Sequence, residues 1–221
     1  MSIVTIRGQL GSGAPEIGKR LAERLHIDYV DREIIAEVAA RVNSPEEKIE
    51  SKEMPAGTLA GRIYEALNHS YPPVAGSGVT SMPMPMYLPA WEIPLDDFSY
   101  SVGLESVIKE LASSNSIVIR GRGSQFILKD NPNAFHVFIV APLAIRMNRV
   151  MNSLKLDEKG AKQEIARFDS SRREFIKRYF KAELEDPIYY DLVINTEHLS
   201  FEDATSIIID ALSLQGQVTG G

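Results

Sequence analysis

Gly8-Gln9-Leu10-Gly11-Ser12-Gly13-Ala14-Pro15-Glu16-Ile17-Gly18 is a glycine-rich turn set between two regular patterns. Before it, Ile3-Val4-Thr5-Ile6 is apolar and β-branched, which predicts a buried strand. After it, Ile17, Leu21 and Leu25 recur at helical spacing with charged residues between them. Strand, glycine turn and helix together suit phosphate: glycines let the backbone turn its N–H groups inward, and the helix N-terminus adds partial positive charge. The spacing fits the frame G-x-x-x-x-G-K-[ST], with Gly8 first and Gly13 sixth. Ala14 stands where the lysine belongs, and Pro15 where the magnesium-binding Ser or Thr belongs. Proline is well tolerated in a first helical turn. A turn of this kind serves as plain architecture as readily as it holds a ligand, and spacing alone leaves both readings open.

Working outward, Ile27-Asp28-Tyr29-Val30 predicts a second strand, ending at Asp31-Arg32-Glu33 before a helix with Ile34, Ile35, Val38 and Ala39 inward. Asp31 and Arg32 stand at a strand's carboxyl end, where α/β folds bind ligands; an N-cap aspartate with a first-turn neighbour reads the same way. Ser44 and Pro45 open another helix, and one more is predicted from Leu59 to Asn68. Between Ser70 and Trp91 there is no charged residue, but prolines stand at 72, 73, 83, 85 and 89. Proline blocks helix and central strand, so this is a loop. Its Met82, Met84, Met86, Tyr87, Leu88 and Trp91 make a surface too apolar to stay bare. It reads as a flap over a site or as a contact that makes the chain a homo-oligomer, with a disordered loop as the alternative.

Helix is predicted from Val102 to Leu111 and strand at Ser116–Ile119, leading into Arg120-Gly121-Arg122-Gly123-Ser124. An arginine between glycines at a strand's end faces whatever lies there, so Arg122 is an anion-binding candidate. Phe135–Val140 is a fourth strand, and Pro142 opens a helix with Arg146 and Arg149 on one face at i,i+3. A long helix follows, about Glu158–Leu184, on which Asp169 has Arg172 and Arg173 within pairing reach at i+3 and i+4. Asp191–Asn195 is a fifth strand, and Phe201–Leu212 the last helix. Strands alternating with helices predict a parallel sheet covered on both faces.

Composition narrows the function. The chain of 221 residues has no cysteine, excluding disulfides and thiolate metal sites. His26, His69, His136 and His198 lack metal-ligand spacing. The net charge of −6 argues against broad nucleic-acid binding. Yet residues 142–181 hold 11 Lys and Arg against 5 Asp and Glu, which suggests a local anionic ligand or a solvated helical face. A basic-then-apolar leader is absent, as is any apolar run of about 18 residues; a cytoplasmic protein without a membrane partner is expected.

The chain resembles the cytidylate kinase-like proteins, a branch of the P-loop nucleoside monophosphate kinases. The resemblance rests on Gly11-Ser12-Gly13 with Glu16-Ile17-Gly18, on Tyr29-Val30-Asp31-Arg32-Glu33-Ile34-Ile35, and on Val118-Ile119-Arg120-Gly121-Arg122-Gly123. It continues through Val137–Pro142 with Arg146, through Arg167-x-Asp169-x-x-Arg172, and through Tyr190–Thr196. It implies a three-layer sandwich with a five-stranded parallel sheet. Residues 1–214 form one domain, with 43–100 as a helical insertion on the acceptor side carrying the Pro/Met loop, 143–184 as the lid region, and 215–221 as a flexible tail. It implies ATP, with Mg²⁺ whose ligands the sequence does not identify. Gly8, Gly11, Ser12, Gly13, Ala14, Pro15 and Arg146 are then the donor-binding residues. Asp31, Arg32 and Arg122 face the acceptor, a nucleoside monophosphate of CMP or dCMP type or a related small molecule. Arg122, Arg167, Asp169 and Arg172 carry the transfer, since guanidinium forks position phosphoryl oxygens and offset their charge. The departures point to a second reading, a nucleotide-binding sensor with impaired catalysis. The loop lacks its lysine and Ser/Thr, Gly123 replaces the base-reading aspartate of cytidylate kinases, and no acidic residue ends the third strand.

Overall fold

The structure, a computed structural model, describes residues 2–31, 33–52, 97–114 and 116–218. Five strands form one sheet: β1 (Ile3–Gly8), β2 (Asp28–Val30), β3 (Ile117–Arg120), β4 (Ala134–Val140) and β5 (Leu192–Asn195). Their order is β2-β3-β1-β4-β5 and every pairing is parallel. The first strand in sequence is therefore the central one. Its last residues lie beside Arg120 on β3 and Ile139 on β4, so the glycine turn leaves the sheet at the carboxyl edge between two neighbours.

Alternation along β1 splits the core. Val4 and Ile6 pack with Ile17 and Leu21 of α1 (Ala14–Leu25) and with Ala204 and Ile208 of α8 (Phe201–Val218). Ile3 faces the other layer. There it meets Ile34 and Val38 of α2 (Glu33–Arg41), Leu104 and Ile108 of α4 (Asp97–Ser114), and Phe175 and Ile176 of α7 (Glu158–Phe180). Burial on both faces explains why these strands read as continuous apolar runs. The remaining α-helices among the described residues are α3 (Glu46–Lys52), α5 (Ser124–Ile127) and α6 (Leu143–Leu154). The result is the expected three-layer α/β sandwich. Helices α6 and α7 form a hairpin around Val150, Ala161 and Ile165, and Leu10 of the glycine turn packs into it.

Three helix boundaries differ most from the sequence expectation. Helix α4 starts at Asp97 rather than Val102, because the Asp97 carboxylate is fixed by Lys52 at 2.8 Å and the Tyr179 hydroxyl at 3.0 Å. Helix α7 stops at Phe180, before Leu184, where Lys181 turns left-handed at φ 54°. Helix α8 runs through Val218 instead of ending at Leu212; Gln215, expected in the tail, donates to the Ala134 carbonyl at 3.2 Å. The expected helix Leu59–Asn68 and the uncharged Ser70–Trp91 segment, with the subunit contact assigned to it, lie outside the described residues. Among the described residues no helix is long and apolar enough to cross a membrane.

One histidine is structural. His136 on β4 is buried, and its Nδ1 lies 2.8 Å from the Thr5 hydroxyl on β1. Burial pushes its pKa below the ordinary 6.5, with Asp191 opposing. The fold thus binds this proton less readily than the unfolded chain, and stability is lost as pH falls below about 6.5. Acid melting profiles should show this loss, and His136→Gln should flatten the profile between pH 6.5 and 5.

Candidate functional site

Between β1 and α1 the backbone curls through Gln9–Gly13. Gly11 has φ 81°, and a Cβ there would come within 2.7 Å of the Arg146 carbonyl oxygen, so only glycine lets α6 approach so closely. The Ser12 amide donates to the Gln9 carbonyl at 3.0 Å, closing the turn. Helix α1 then starts with Gly13 as its cap, without a side-chain hydrogen bond, and with Pro15 in its first turn.

Side chains from other elements hold the outside of the curl. Arg146 Nη1 donates to the Leu10 carbonyl at 3.3 Å. Arg149 Nη1 donates to the carbonyls of Gly11 and Ser12 at 3.2 and 3.3 Å, and the Thr196 hydroxyl donates to Ser12 O at 2.8 Å. Arg149 is itself seated on Thr196, at 2.9 Å from both Oγ1 and O, and lies 5.0 Å from the Phe201 ring centre. Asp169 ties the set together. One oxygen is 2.7 Å from Arg146 Nη1, and the other accepts the Leu10 amide at 3.3 Å. Three carbonyls and the Leu10 amide point outward to these groups, which leaves the amides that follow. Those of Gly11, Gly13 and Ala14 meet no acceptor among the described residues. The Ser12 hydroxyl is buried and has no partner among the described residues. Unpaired amides at a helix start attract anions. The curl's inner side toward Gly8 is filled by the Ser12 Oγ and the Ala14 methyl, so no loop cation stands there.

The neighbouring strand ends are lined by arginines. Asp31, at the end of β2, pairs with Arg120 at 2.6 Å and with Arg122 at 3.3 Å. Arg122 is left-handed at φ 54° and its side chain is buried. Arg7, the residue before Gly8, adds a guanidinium of its own; its Nε is buried and has no hydrogen-bond partner among the described residues. Burial, with Arg172 nearby, pushes the Arg7 pKa down to about 10. At Gly123, φ is 70° and a Cβ would lie 2.2 Å from the Phe180 ring.

The expected donor-side residues Gly8, Gly11, Ser12, Gly13, Ala14, Pro15 and Arg146 thus meet in one loop, with Arg146 supporting it from outside. Asp31 and Arg122 come together by pairing with each other; Arg32 lies outside the described residues. Asp169 is drawn across to Arg146 instead of pairing along its helix with Arg172 or Arg173, because its side of α7 faces α6. Its two oxygens are both engaged in holding the loop. Arg172 lies over the Phe168 ring at 5.1 Å and near Arg7. Arg167 is not brought in: it pairs with Glu164 at 2.6 Å, half-exposed. Sequence reasoning missed Arg149, Thr196 and Arg7 as site residues. Signals existed for two of them: Arg149 is three residues beyond Arg146, and Arg7 is a lone charge ending an apolar strand.

Among the described residues a protein-held magnesium site is not built: no three His, Asp or Glu side chains converge, and Asp31 and Asp169 are both held by arginines. A metal arriving with a nucleotide would keep phosphate and water ligands.

The family model of the cytidylate kinase-like family matches residues 3–198. A relative from Sulfolobus acidocaldarius, a cytidylate kinase, is 28% identical over 119 residues, covering 53% of this chain and 65% of that one. The chain spans less than two thirds of the length of the curated relatives it matches first. Among solved structures, an uncharacterized protein from Eubacterium ventriosum superposes with TM-score 0.67 and 22% identity, covering 96% of this chain and 99% of that one. A sugar kinase from Janibacter gives TM-score 0.51 and 15% identity, covering 96% and 95%.

Proposed function

Since the chain belongs to the cytidylate kinase-like family, we propose that it is a nucleotide kinase that moves the terminal phosphoryl group of ATP to a nucleoside monophosphate of CMP or dCMP type, or to a related small acceptor. The observation that carries this reading is the turned-out loop: three outward carbonyls are taken by Arg146, Arg149 and Thr196, which leaves the amides of Gly11, Gly13 and Ala14 for phosphate oxygens. ATP, when bound, supplies the phosphoryl group; its bond to the β-phosphate oxygen breaks as one forms to an acceptor oxygen, leaving ADP. The chain's own part is to bind, orient and exclude water. Arg122 and Arg120 sit at the acceptor side, where Asp31 fixes their direction. The α6–α7 hairpin, to which the loop is tied through Leu10 and Asp169, closes over the transferred group and keeps water from competing.

A second reading is favoured by a specific observation. The Ala14 methyl is buried inside the loop, and Pro15 removes an N–H from the helix start. Losing a transition-state cation costs several powers of ten in rate. The alternative is therefore a nucleotide sensor that binds without appreciable turnover. A coupled ADP-release assay with CMP, dCMP, UMP, AMP and GMP separates the two. Kinase activity predicts turnover above the acceptor-free rate with at least one of them, a pyrimidine first. ATP binding by calorimetry without such turnover selects the sensor.

A further inference from the structure

We infer that Arg7 is a phosphate-binding residue, supplying from the end of the central strand the cation that the glycine loop lacks. The inference deepens the nucleotide-kinase reading and rests on it for the identity of the ligand. Its grounds are geometric. Arg7 is the last residue of β1 before Gly8, beside Phe138 of β4. It shares a sheet face with Ile3 and Thr5, the face covered by α7 rather than by α1. Its side chain therefore lies on the α7 side of the sheet, where it feels the charge of Arg172, Tyr190, Asp169 and Arg120. Of these, Asp169 holds the glycine loop and Arg120 pairs with Asp31 at the end of β2, so Arg7 is coupled to both groups. An arginine on the α1 face would instead sit in the apolar cluster of Val4, Ile6 and Leu21.

A buried guanidinium is normally paired, because an unpaired one is costly. Arg7 is not: its Nε has no partner among the described residues. The candidate acids nearby are spent. Asp169 gives its two oxygens to Arg146 and the Leu10 amide. The Tyr190 hydroxyl donates to the Leu184 carbonyl at 2.6 Å and accepts from Gln125 at 3.2 Å. Tyr190 is also pushed up to about 12 by burial, so it stays neutral and offers no countercharge. Residue 7 as a whole is half-buried, while its Nε is buried. The lowered pKa of Arg7 agrees with this: the free protein holds a charge there against burial and against Arg172. An incoming phosphoryl oxygen satisfies the guanidinium that the described residues leave open at Nε.

The test compares the full chain with Arg7→Met and Arg7→Lys by calorimetry with pyrophosphate, ATP and CMP, and by thermal melting without ligand. Arg7→Met should bind pyrophosphate and ATP about tenfold to hundredfold more weakly, the weight of a charge-assisted pair. Arg7→Lys should recover part of the loss. The unliganded Arg7→Met should melt no lower than the wild type, since a costly charge has been removed. A lower melting point with unchanged affinities would show a structural arginine and overturn the inference. Wild-type ATP binding unaffected by Arg7→Met also overturns it while leaving the kinase reading intact. Arg7-dependent pyrophosphate binding without any nucleotide binding does the reverse. Binding of none of the three probes removes both.

Discussion

Asp169→Ala will lower the melting temperature by roughly 6–20 °C and weaken ATP binding about tenfold. The pair it breaks is buried: the side chains of Arg146 and Asp169 are only 9% and 10% exposed, with 2.7 Å between them. Removing one partner of such a pair leaves an uncompensated charge, at a cost of about 3–5 kcal/mol. In a chain of this size each kcal/mol moves the melting point by about 2–4 °C. The affinity loss follows from the second oxygen of Asp169, which accepts the Leu10 amide. Without it the first half of the loop loses its anchor to α7. Arg146 then has no reason to stay against the Leu10 carbonyl. The comparison that isolates this is the double variant Arg146→Met with Asp169→Leu. Replacing both partners by apolar residues of similar volume is near neutral for stability, so melting should recover. ATP affinity should not, because the Leu10 carbonyl and amide both remain unheld. Recovery of both together would show that the loop keeps its shape by itself.

Much of the architecture was legible because it depends on local pattern. Ile3–Ile6, Ser116–Ile119 and Phe135–Val140 are apolar runs with the length of buried strands, and the helices between them carry a clear inward stripe. The glycine turn was legible too, as was the clustering of arginine-bearing segments at strand ends. What failed depends on which helix crosses which. Asp169 with Arg172 or Arg173 is the local answer, and the tertiary answer, Arg146, lies 23 residues away on another helix. One part of that failure was avoidable. Positions 167 and 169 are about 200° apart around a helix, so Arg167 and Asp169 cannot both face the loop; with Asp169 inward, Arg167 turns out to Glu164. Arg7 was visible as a charge in an apolar strand. Its meaning needed the third dimension, because only the sheet shows that it points to the lid side.

Gly123→Asp will destabilise the chain by about 10 °C and will not create a preference for CMP. The resemblance to cytidylate kinases implies a base-reading aspartate at this position; here a glycine meets a steric demand. The φ of 70° costs a non-glycine residue about 1–2 kcal/mol. A Cβ would also stand 2.2 Å from the Phe180 ring, and overpacking of this kind costs about 1–3 kcal/mol. Phe180 has little room to yield. It stacks on Phe126 at 5.2 Å and meets Phe175 at 6.1 Å, at the end of α7 where Lys181 turns the chain. The two terms predict their own dissection. In a Phe180→Ala background the steric term disappears and the backbone term stays, so a double-mutant cycle should return a coupling of about 1–3 kcal/mol. On the functional side, the ratio of turnover with CMP to turnover with AMP should be unchanged in Gly123→Asp, because the new carboxylate meets an aromatic wall instead of a base. A stable Gly123→Asp variant with a raised CMP ratio would mean that Phe180 swings aside when nucleotide binds. In that case the acceptor's base does reach the turn after β3, and Arg122, fixed by Asp31 one residue earlier, would stand beside it.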